Sequence, residues 1–416
     1  MLGRLLIVTC VLSHLLLVIA LTTSFAGNLP LSHEQAVYAN IILLSVASLA
    51  AVCRPPLTVG RYDWLLLCII VLYGLSILVP TASAHSISSM CSIELCLTPL
   101  IIFCFVWAVP KALTRRDLEV VLLAIVSVFT AHGLLTAYMV ATNTHCLFGQ
   151  ELLCTTGRPQ LYWGERGALV TGLFANPNGL GSCLILLPAI AFYMATRLQR
   201  TGQRAFLCSS GSLLLLNLLV LMSRSCSLTT LAGLAVAGVS GKLLKPWVRC
   251  VALGAMLLAL FCGCYAIFDW RSDNSTCLRS FIWMGFVDAV LENPFGSGWN
   301  SVAVFNQNPH NCLLANLVYF GFTGFVLLLA LFIMLIARAA NNCRQDRTSA
   351  VLVLSLASLL LIHQSVEYVI SYPLLFSNSI FWLLLGYVQL PSGAQSYKET
   401  RSRPIAVSAC AASETA

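Results

Sequence analysis

The chain is dominated by apolar runs of the length a helix needs to cross a bilayer. A helix rises 1.5 Å per residue, so roughly 20 apolar residues span a hydrocarbon core of about 30 Å. Twelve runs are legible, at about 5–22, 36–53, 64–81, 93–109, 119–141, 169–195, 205–223, 227–241, 248–268, 311–337, 349–367 and 372–390. A soluble chain of 416 residues would carry about a quarter of them charged. Here 9% are charged and 59% hydrophobic, which leaves no room for a sizeable water-soluble domain. The expected fold class is all-α: a polytopic membrane protein of about 12 transmembrane helices over 1–390, with 391–416 a polar, disordered cytoplasmic tail. Arg4 ahead of an apolar stretch resembles a signal peptide, but no small-residue cleavage site leads into a soluble domain, so the first run is read as a helix.

With a cytoplasmic N-terminus, basic residues should collect in alternate loops. They do. Of the 23 Lys and Arg, only Arg158, Arg166, Arg224, Arg271 and Arg279 fall outside, and a shift by one helix would invert the ratio. Both termini are then cytoplasmic. The net charge of +8 calls for no nucleic-acid partner, because the excess lies where anionic membrane lipid attracts it. Most cysteines, among them Cys10, Cys53, Cys68, Cys104, Cys183 and Cys208, lie in the runs as small apolar packers. No spacing suits a metal, and none is expected. Cys146 and Cys154 share an outer loop and can pair if that side is oxidising, with Cys91 and Cys96 a second candidate pair.

The outer polar residues stand out against this background. Arg166 precedes Gly172-Leu-Phe-Ala-Asn176-Pro177-Asn178-Gly179 at the start of the sixth run. Asn-Pro-Asn-Gly cannot continue a regular helix, so a break is expected there, either packed on neighbours or lining a polar vestibule. Arg224, in Ser223-Arg224-Ser225, sits in a link so short that it must lie at the bilayer interface, as a headgroup contact or as part of a site. Arg279 and His310 bracket the one long outer loop, about 269–310. Within it Phe281 to Glu292 reads as an amphipathic helix that lies on the membrane or caps the bundle, and Asn293-Pro294-Phe295-Gly296 ends it as a turn. Asn308-Pro309-His310-Asn311 leads into the tenth run; a neutral imidazole there can accept a proton, or be merely solvated. His14 and His132 are read as bonded to neighbouring helices. His363 and Glu367, four apart on one helix face, form a structural pair or line a cavity. No fixed-period repeat, P-loop, GxSxG, HExxH or paired-carboxylate motif appears.

In order, Gly172-Leu-Phe-Ala-Asn-Pro-Asn-Gly, Ser223-Arg224-Ser, Arg279 followed by Trp283, Asn293-Pro-Phe-Gly-Ser-Gly298, and His310-Asn311-Cys-Leu-Leu running into Gly321-Phe-Thr-Gly324 resemble the O-antigen ligase / O-antigen polymerase superfamily of bacterial envelope glycosyltransferases. The resemblance covers about 166–325, and the stretch ahead of His310 is shorter than the family commonly has. It implies an inner-membrane enzyme, active at the periplasmic face without metal or other cofactor. The donor it implies is a glycan on undecaprenyl pyrophosphate; the acceptor is a sugar of lipid A–core for a ligase, or another carrier-linked repeat for a polymerase. His310, Arg224 and Arg279 would be catalytic, with Arg166, Asn176, Asn178, Asn311 and Trp283 binding substrate. The histidine motif and its span resemble the ligase branch more closely, so ligase is the reading preferred. A transporter or flippase is the competing class; it requires discontinuous helices in both halves and an internal repeat. The sequence offers one break and no repeat.

Overall fold

In a computed structural model of the chain, the residues described are 2–23, 31–54, 59–83, 89–142, 146–147, 150–151, 173–174, 177–220, 226–227, 229–231, 233–234, 276–296, 312–343, 352–353, 356–357, 363, 374 and 376–390. Only the backbone is described for 78–83, 89–95, 140, 146–147, 150–151, 177–178, 219–220, 276–283, 340 and 342–343. The molecule is almost entirely helical. Its helices are α1 (Leu2–Leu21), α2 (His33–Val52), α3 (Arg61–Ser83), α4 (Ser89–Ile102), α5 (Val109–Ala112), α6 (Arg115–Thr142), α7 (Pro177–Leu184), α8 (Leu187–Arg197), α9 (Thr201–Val220), α10 (Thr276–Glu292), α11 (Cys312–Cys343) and α12 (Phe376–Tyr387). One two-residue hairpin pairs Cys146–Leu147 with Gln150–Glu151.

Among the described residues five helices are long and apolar enough to cross a membrane: Leu2–Leu21, His33–Val52, Arg115–Met139, Gly179–Arg197 and Cys312–Ala339. The runs at 64–81 and 93–109 fall on α3 and on α4–α5, where part of the side chains lies outside the described residues, and the remaining runs fall partly or wholly outside them. The tail from 391 lies outside them as well.

Side-chain chemistry sets where helices begin. Ser32 and Gln35 form a reciprocal capping box that starts α2. Thr114 and Asp117 do the same for α6, and the Asp63 carboxylate accepts from the Gly60 N–H ahead of α3. The Arg54 guanidinium donates to the Ala112 carbonyl at the end of α5, where helix carbonyls lack partners.

The basic residues gather at one end of the bundle. There Lys111 pairs with Asp63 at 2.7 Å, and Arg338 lies 3.9 Å above the Tyr62 ring. Arg115 donates to the hydroxyls of Tyr193 and Tyr387, and Tyr387 donates to Glu119. The charges of Arg4 and Arg54 act on Asp117. The opposite end carries Thr23 bridged to Phe174, and the ring cluster of Phe129, His132, Phe174 and Phe376. From α1 to α9 the chain therefore runs back and forth between the two ends.

α12 is buried along its whole length, so it stands at the centre. Trp382 stacks on Phe332 at 5.4 Å. Three devices break helical regularity. Between Pro99 and Pro110, Phe103–Ala108 is π-helical. α12 packs on this segment so closely that a Cβ at Gly386 would strike the Phe105 carbonyl and sit 2.9 Å from Pro110 Cγ. Gly386→Ala is expected to cost about 1–3 kcal/mol through overpacking, read as a lower unfolding temperature in detergent. Gly3→Ala, with nothing within 4 Å of the new carbon, is the control.

The second break corrects the reading of the sixth run. Pro177 begins α7 at its first position, where a missing N–H costs nothing, so it does not interrupt a helix already under way. The interruption falls at Ile185–Leu186, ahead of Pro188. The Ile185 carbonyl there accepts from the Thr230 hydroxyl at 2.9 Å. The third break is at Gly321, inside α11.

His14 and Asn40 make the main buried polar junction. The His14 Nδ1 lies 2.7 Å from Asn40 Oδ1, and Nε2 2.8 Å from Ser379 Oγ. Asn40 Oδ1 only accepts, so Nδ1 carries the proton, and in the neutral ring Nε2 accepts from Ser379. Cys10, Cys104 and Cys183 are buried, as packers should be, whereas Cys53, Cys68 and Cys208 face outward from the bundle. Cys96 is a free thiol, so it is not joined to Cys91; both lie in α4, where residues five apart project to different sides. The side chains of Cys146 and Cys154 lie outside the described residues.

Candidate functional site

At the end opposite the basic cluster, the structure assembles the backbone around the sequence motifs. Phe174 of Gly172-Leu-Phe-Ala-Asn-Pro is buried, bridged to Thr23 and stacked at 6.1 Å on Phe129. The Leu173 N–H donates to His132 Nε2 at 3.2 Å, and the His132 ring meets Phe174 edge-on at 5.2 Å. His132 is thus bonded, but this partner is the bridged segment Leu173–Phe174 ahead of α7 and not the neighbouring helix expected. That fixes where Pro177 starts α7, with Asn178 and Gly179 in its first turn. The segment just beyond Arg224 packs on the same wall: Cys226 Sγ lies 3.3 Å from His363 Nε2, and Ser227 donates to the Leu218 carbonyl. His363 is buried against this segment; Glu367 lies outside the described residues.

The second assembly joins the long outer loop to the bundle. α10 runs Thr276–Glu292, so the helix expected from Phe281 begins a turn earlier. It packs on α11, with Phe286 and Val290 buried, while Met284 and Leu291 are exposed beside Asp288 and Glu292. Apolar residues on the outward face suit a helix that both covers the bundle and meets acyl chains. After Glu292 the Asn293 N–H donates to Ala289 O, and the Gly296 N–H to Asn293 O. This Asn293–Gly296 turn enters the break in α11. Gly321 there takes φ 64°, ψ −172°, and Gly296 φ 97°, both in the region that favours glycine. The break frees the Phe322 N–H, which donates to the Pro294 carbonyl at 2.9 Å. A Cβ on Gly296 would lie 2.6 Å from Gly321 N, and one on Gly321 2.5 Å from Pro294 O. Two glycines from two motifs therefore form one clasp.

Asn316 locks the start of α11. It is fully buried, accepts from Tyr73 Oη at 2.8 Å, and donates to the Cys312 carbonyl. Asn316 and Tyr73 escaped sequence reading. The one signal available was an amide inside an apolar run, four residues after Cys312. The consequence concerns the histidine motif. Residues 297–311 lie outside the described residues, and the positions that flank them are both held on α11, Gly296 through the clasp and Cys312 through Asn316.

Of the residues expected to form the site, Arg279 and Trp283 lie on α10 and Asn178 in the first turn of α7, each placed by backbone alone. His310, Asn311, Arg224, Arg166 and Asn176 lie outside the described residues. The structure brings together their frames: α10 with α11 through the clasp, and α7 with the segment after Arg224 through the α7–α9 wall. Among the described residues, no three His, Cys, Asp or Glu side chains gather in a manner suited to a metal. No protein-family model matches the chain, and no curated protein does.

Proposed function

We propose that the chain is a bacterial inner-membrane glycosyltransferase of the O-antigen ligase type, crossing the membrane about twelve times with both termini cytoplasmic. The back-and-forth helix directions support that count. α9 ends and α11 begins at the same end, whereas α11 ends at the basic end and α12 begins at the other, which accommodates the two spans proposed between the first pair and the one proposed between the second. The basic cluster supports a cytoplasmic assignment for its end, since Lys and Arg concentrate on that face.

The single observation that carries the catalytic reading is the Gly296–Gly321 clasp. It ties the helix bearing Arg279 to the helix that follows His310, on the face away from the basic end. In the proposed reaction an acceptor sugar hydroxyl attacks the anomeric carbon of a glycan on undecaprenyl pyrophosphate. His310 takes the hydroxyl proton, the new C–O bond forms as the bond to pyrophosphate breaks, and the configuration inverts. Arg224 and Arg279 neutralise the departing diphosphate, whose oxygens suit planar guanidinium forks. Arg166 and Trp283, with Asn176, Asn178 and Asn311, line the substrate path.

Arg279→Lys is expected to reduce transfer by roughly a hundredfold, because lysine supplies a point charge in place of a fork. Near-normal transfer by that variant in purified protein would remove diphosphate clamping from the scheme.

The preferred acceptor is lipid A–core. The polymerase alternative uses the same donor and leaving group. The test is the lipopolysaccharide pattern of a deletion strain: loss of the ladder with carrier-linked polymer retained indicates a ligase, core plus a single repeat a polymerase, and an unchanged ladder neither. The transport reading gains from one observation, since α7–α8 and α11 are both interrupted, and so both halves hold a broken helix. Incubating purified protein with carrier-linked glycan and lipid A–core separates the two classes. A transporter forms no covalent product.

A further inference from the structure

At the basic end, α6, α8 and α9 enclose a cavity of about 400 Å³ that opens on the flank of the bundle. Its polar rim is built from Arg116, Arg197 and Gln203, with Glu119 beside them. Glu119 accepts from Tyr387 at 3.0 Å and lies 3.9 Å from Arg197, so its charge is already engaged. Two arginines against one carboxylate leave the rim with one net positive charge. Among the described residues Arg116 has no hydrogen-bond or ion-pair partner, and it is exposed. Arg200 and Arg204 flank Gly202 and Gln203 in sequence, and Gly202 has open space where a side chain would stand.

Below the rim the walls turn apolar. Val120 and Phe206 line the cavity and are themselves about half exposed, and α6 and α9 carry further exposed apolar residues at Val128, Leu134 and Leu216. The lining thus combines cations and an amide with aliphatic and aromatic side chains. A soluble anion would match the rim and leave the floor bare. An acyl chain alone would match the apolar walls and leave the exposed Arg116 guanidinium without an anionic partner from the ligand.

We propose that this cavity is a binding site for one anionic phospholipid. Its phosphate lies between Arg116 and Arg197 with the Gln203 amide donating to it, and one acyl chain descends along Val120 and Phe206. The fork of Arg116 meets phosphate oxygens two at a time, and the volume lies within the range of a small-molecule site. Basic recesses between transmembrane helices are where anionic headgroups are held. The lipid fills a gap between α6 and α9 and joins the two helices at the end where Arg115 binds the Tyr193–Tyr387 pair. The site is independent of glycan transfer, so its test does not read activity.

The experiment is native mass spectrometry of the full chain in non-ionic detergent, titrated with dioleoylphosphatidylglycerol or with phosphatidylcholine of the same chains. One phosphatidylglycerol is expected to stay bound under conditions that strip phosphatidylcholine. Arg116→Gln should weaken retention about fivefold, the worth of about one interfacial arginine, and Arg116→Glu by a larger factor. Among the described residues Arg116 holds no hydrogen-bond or ion-pair partner, so neither variant removes a contact seen there. Arg61→Gln, an exposed arginine on α3 that is not part of the cavity, should leave retention unchanged. Equal retention of the two lipids, an Arg116→Glu chain that binds like the parent, or equal losses from Arg61→Gln and Arg116→Gln would each overturn the site. Displacement of the lipid by inorganic phosphate alone would overturn the lipid as occupant.

Discussion

A His310→Ala chain is expected to insert and accumulate as the parent does and to cap no lipopolysaccharide. Removing a general base costs about 10²–10⁴-fold in rate, enough to erase the ladder on a gel. The reason to expect normal accumulation is structural. α11 starts at Cys312, held by Asn316 against Tyr73, and the clasp grips at Gly321; neither uses residue 310. Loss of activity with intact protein would therefore report chemistry and not misfolding. Normal capped lipopolysaccharide from this variant would take His310 out of the mechanism.

Gly321→Ala should separate the frame from the chemistry. An alanine there meets the backbone of Phe295 and Pro294 and adopts a backbone conformation costing about 1–3 kcal/mol for residues other than glycine. Overpacking adds about 1–3 kcal/mol. Alanine is also the best helix former. The relief open to the chain is a continuous α11, with the Phe322 N–H returned to its own helix and the Asn293–Gly296 turn expelled. The expected result is a protein that still inserts, with transfer reduced to near the level of His310→Ala and the stretch around Phe295 newly cleaved by protease added from outside. Gly296→Ala should reproduce it, because its side chain would meet Gly321 N and Tyr319 O. Protected loops with full activity in both variants would show that the clasp does not support the site.

Much of the plan was legible from residues alone, and the reasons differ by feature. Basic residues in alternate loops foretold the end where Arg54, Lys111, Arg115 and Arg338 gather, because topology is written into charge as well as into hydropathy. The helix before Asn293 and the turn after it were legible from periodicity and turn chemistry. The Gly321 break was not. A glycine in an apolar run reads as a close-packing position, and its partner in the clasp lies 25 residues earlier, beyond any local pattern. The interruption near Pro177 was expected a few residues too early. Proline at a first helical turn starts a helix as readily as it ends one, and Pro188 was the one that acted as the breaker.

His14 and His132 were expected to bond to neighbouring helices; His14 does, His132 bonds the segment ahead of α7, and their partners Asn40, Ser379 and the Leu173 amide come from contacts that no spacing encodes. The frames that carry Arg279, Trp283 and Asn178 were readable as motifs because glycine, proline and asparagine have narrow conformational uses. Tyr193 and Tyr387 were silent, since a tyrosine at the end of an apolar run is ordinary interface furniture until an arginine is found between two of them.

The junction of His14 with Ser379 has a consequence for biogenesis. The two residues are 365 positions apart, yet each side of one imidazole must find its partner. While the ribosome is still making the middle of the protein, α1 and α2 can satisfy Nδ1 through Asn40, but Nε2 waits for a helix not yet synthesised. An unpaired ring nitrogen in lipid is costly, so the early hairpin remains provisional until the final segment slots into the middle and seals it. Nascent chains stalled before that point would present a polar flaw inside the bilayer, a mark by which membrane quality-control proteases can tell unfinished copies from finished ones.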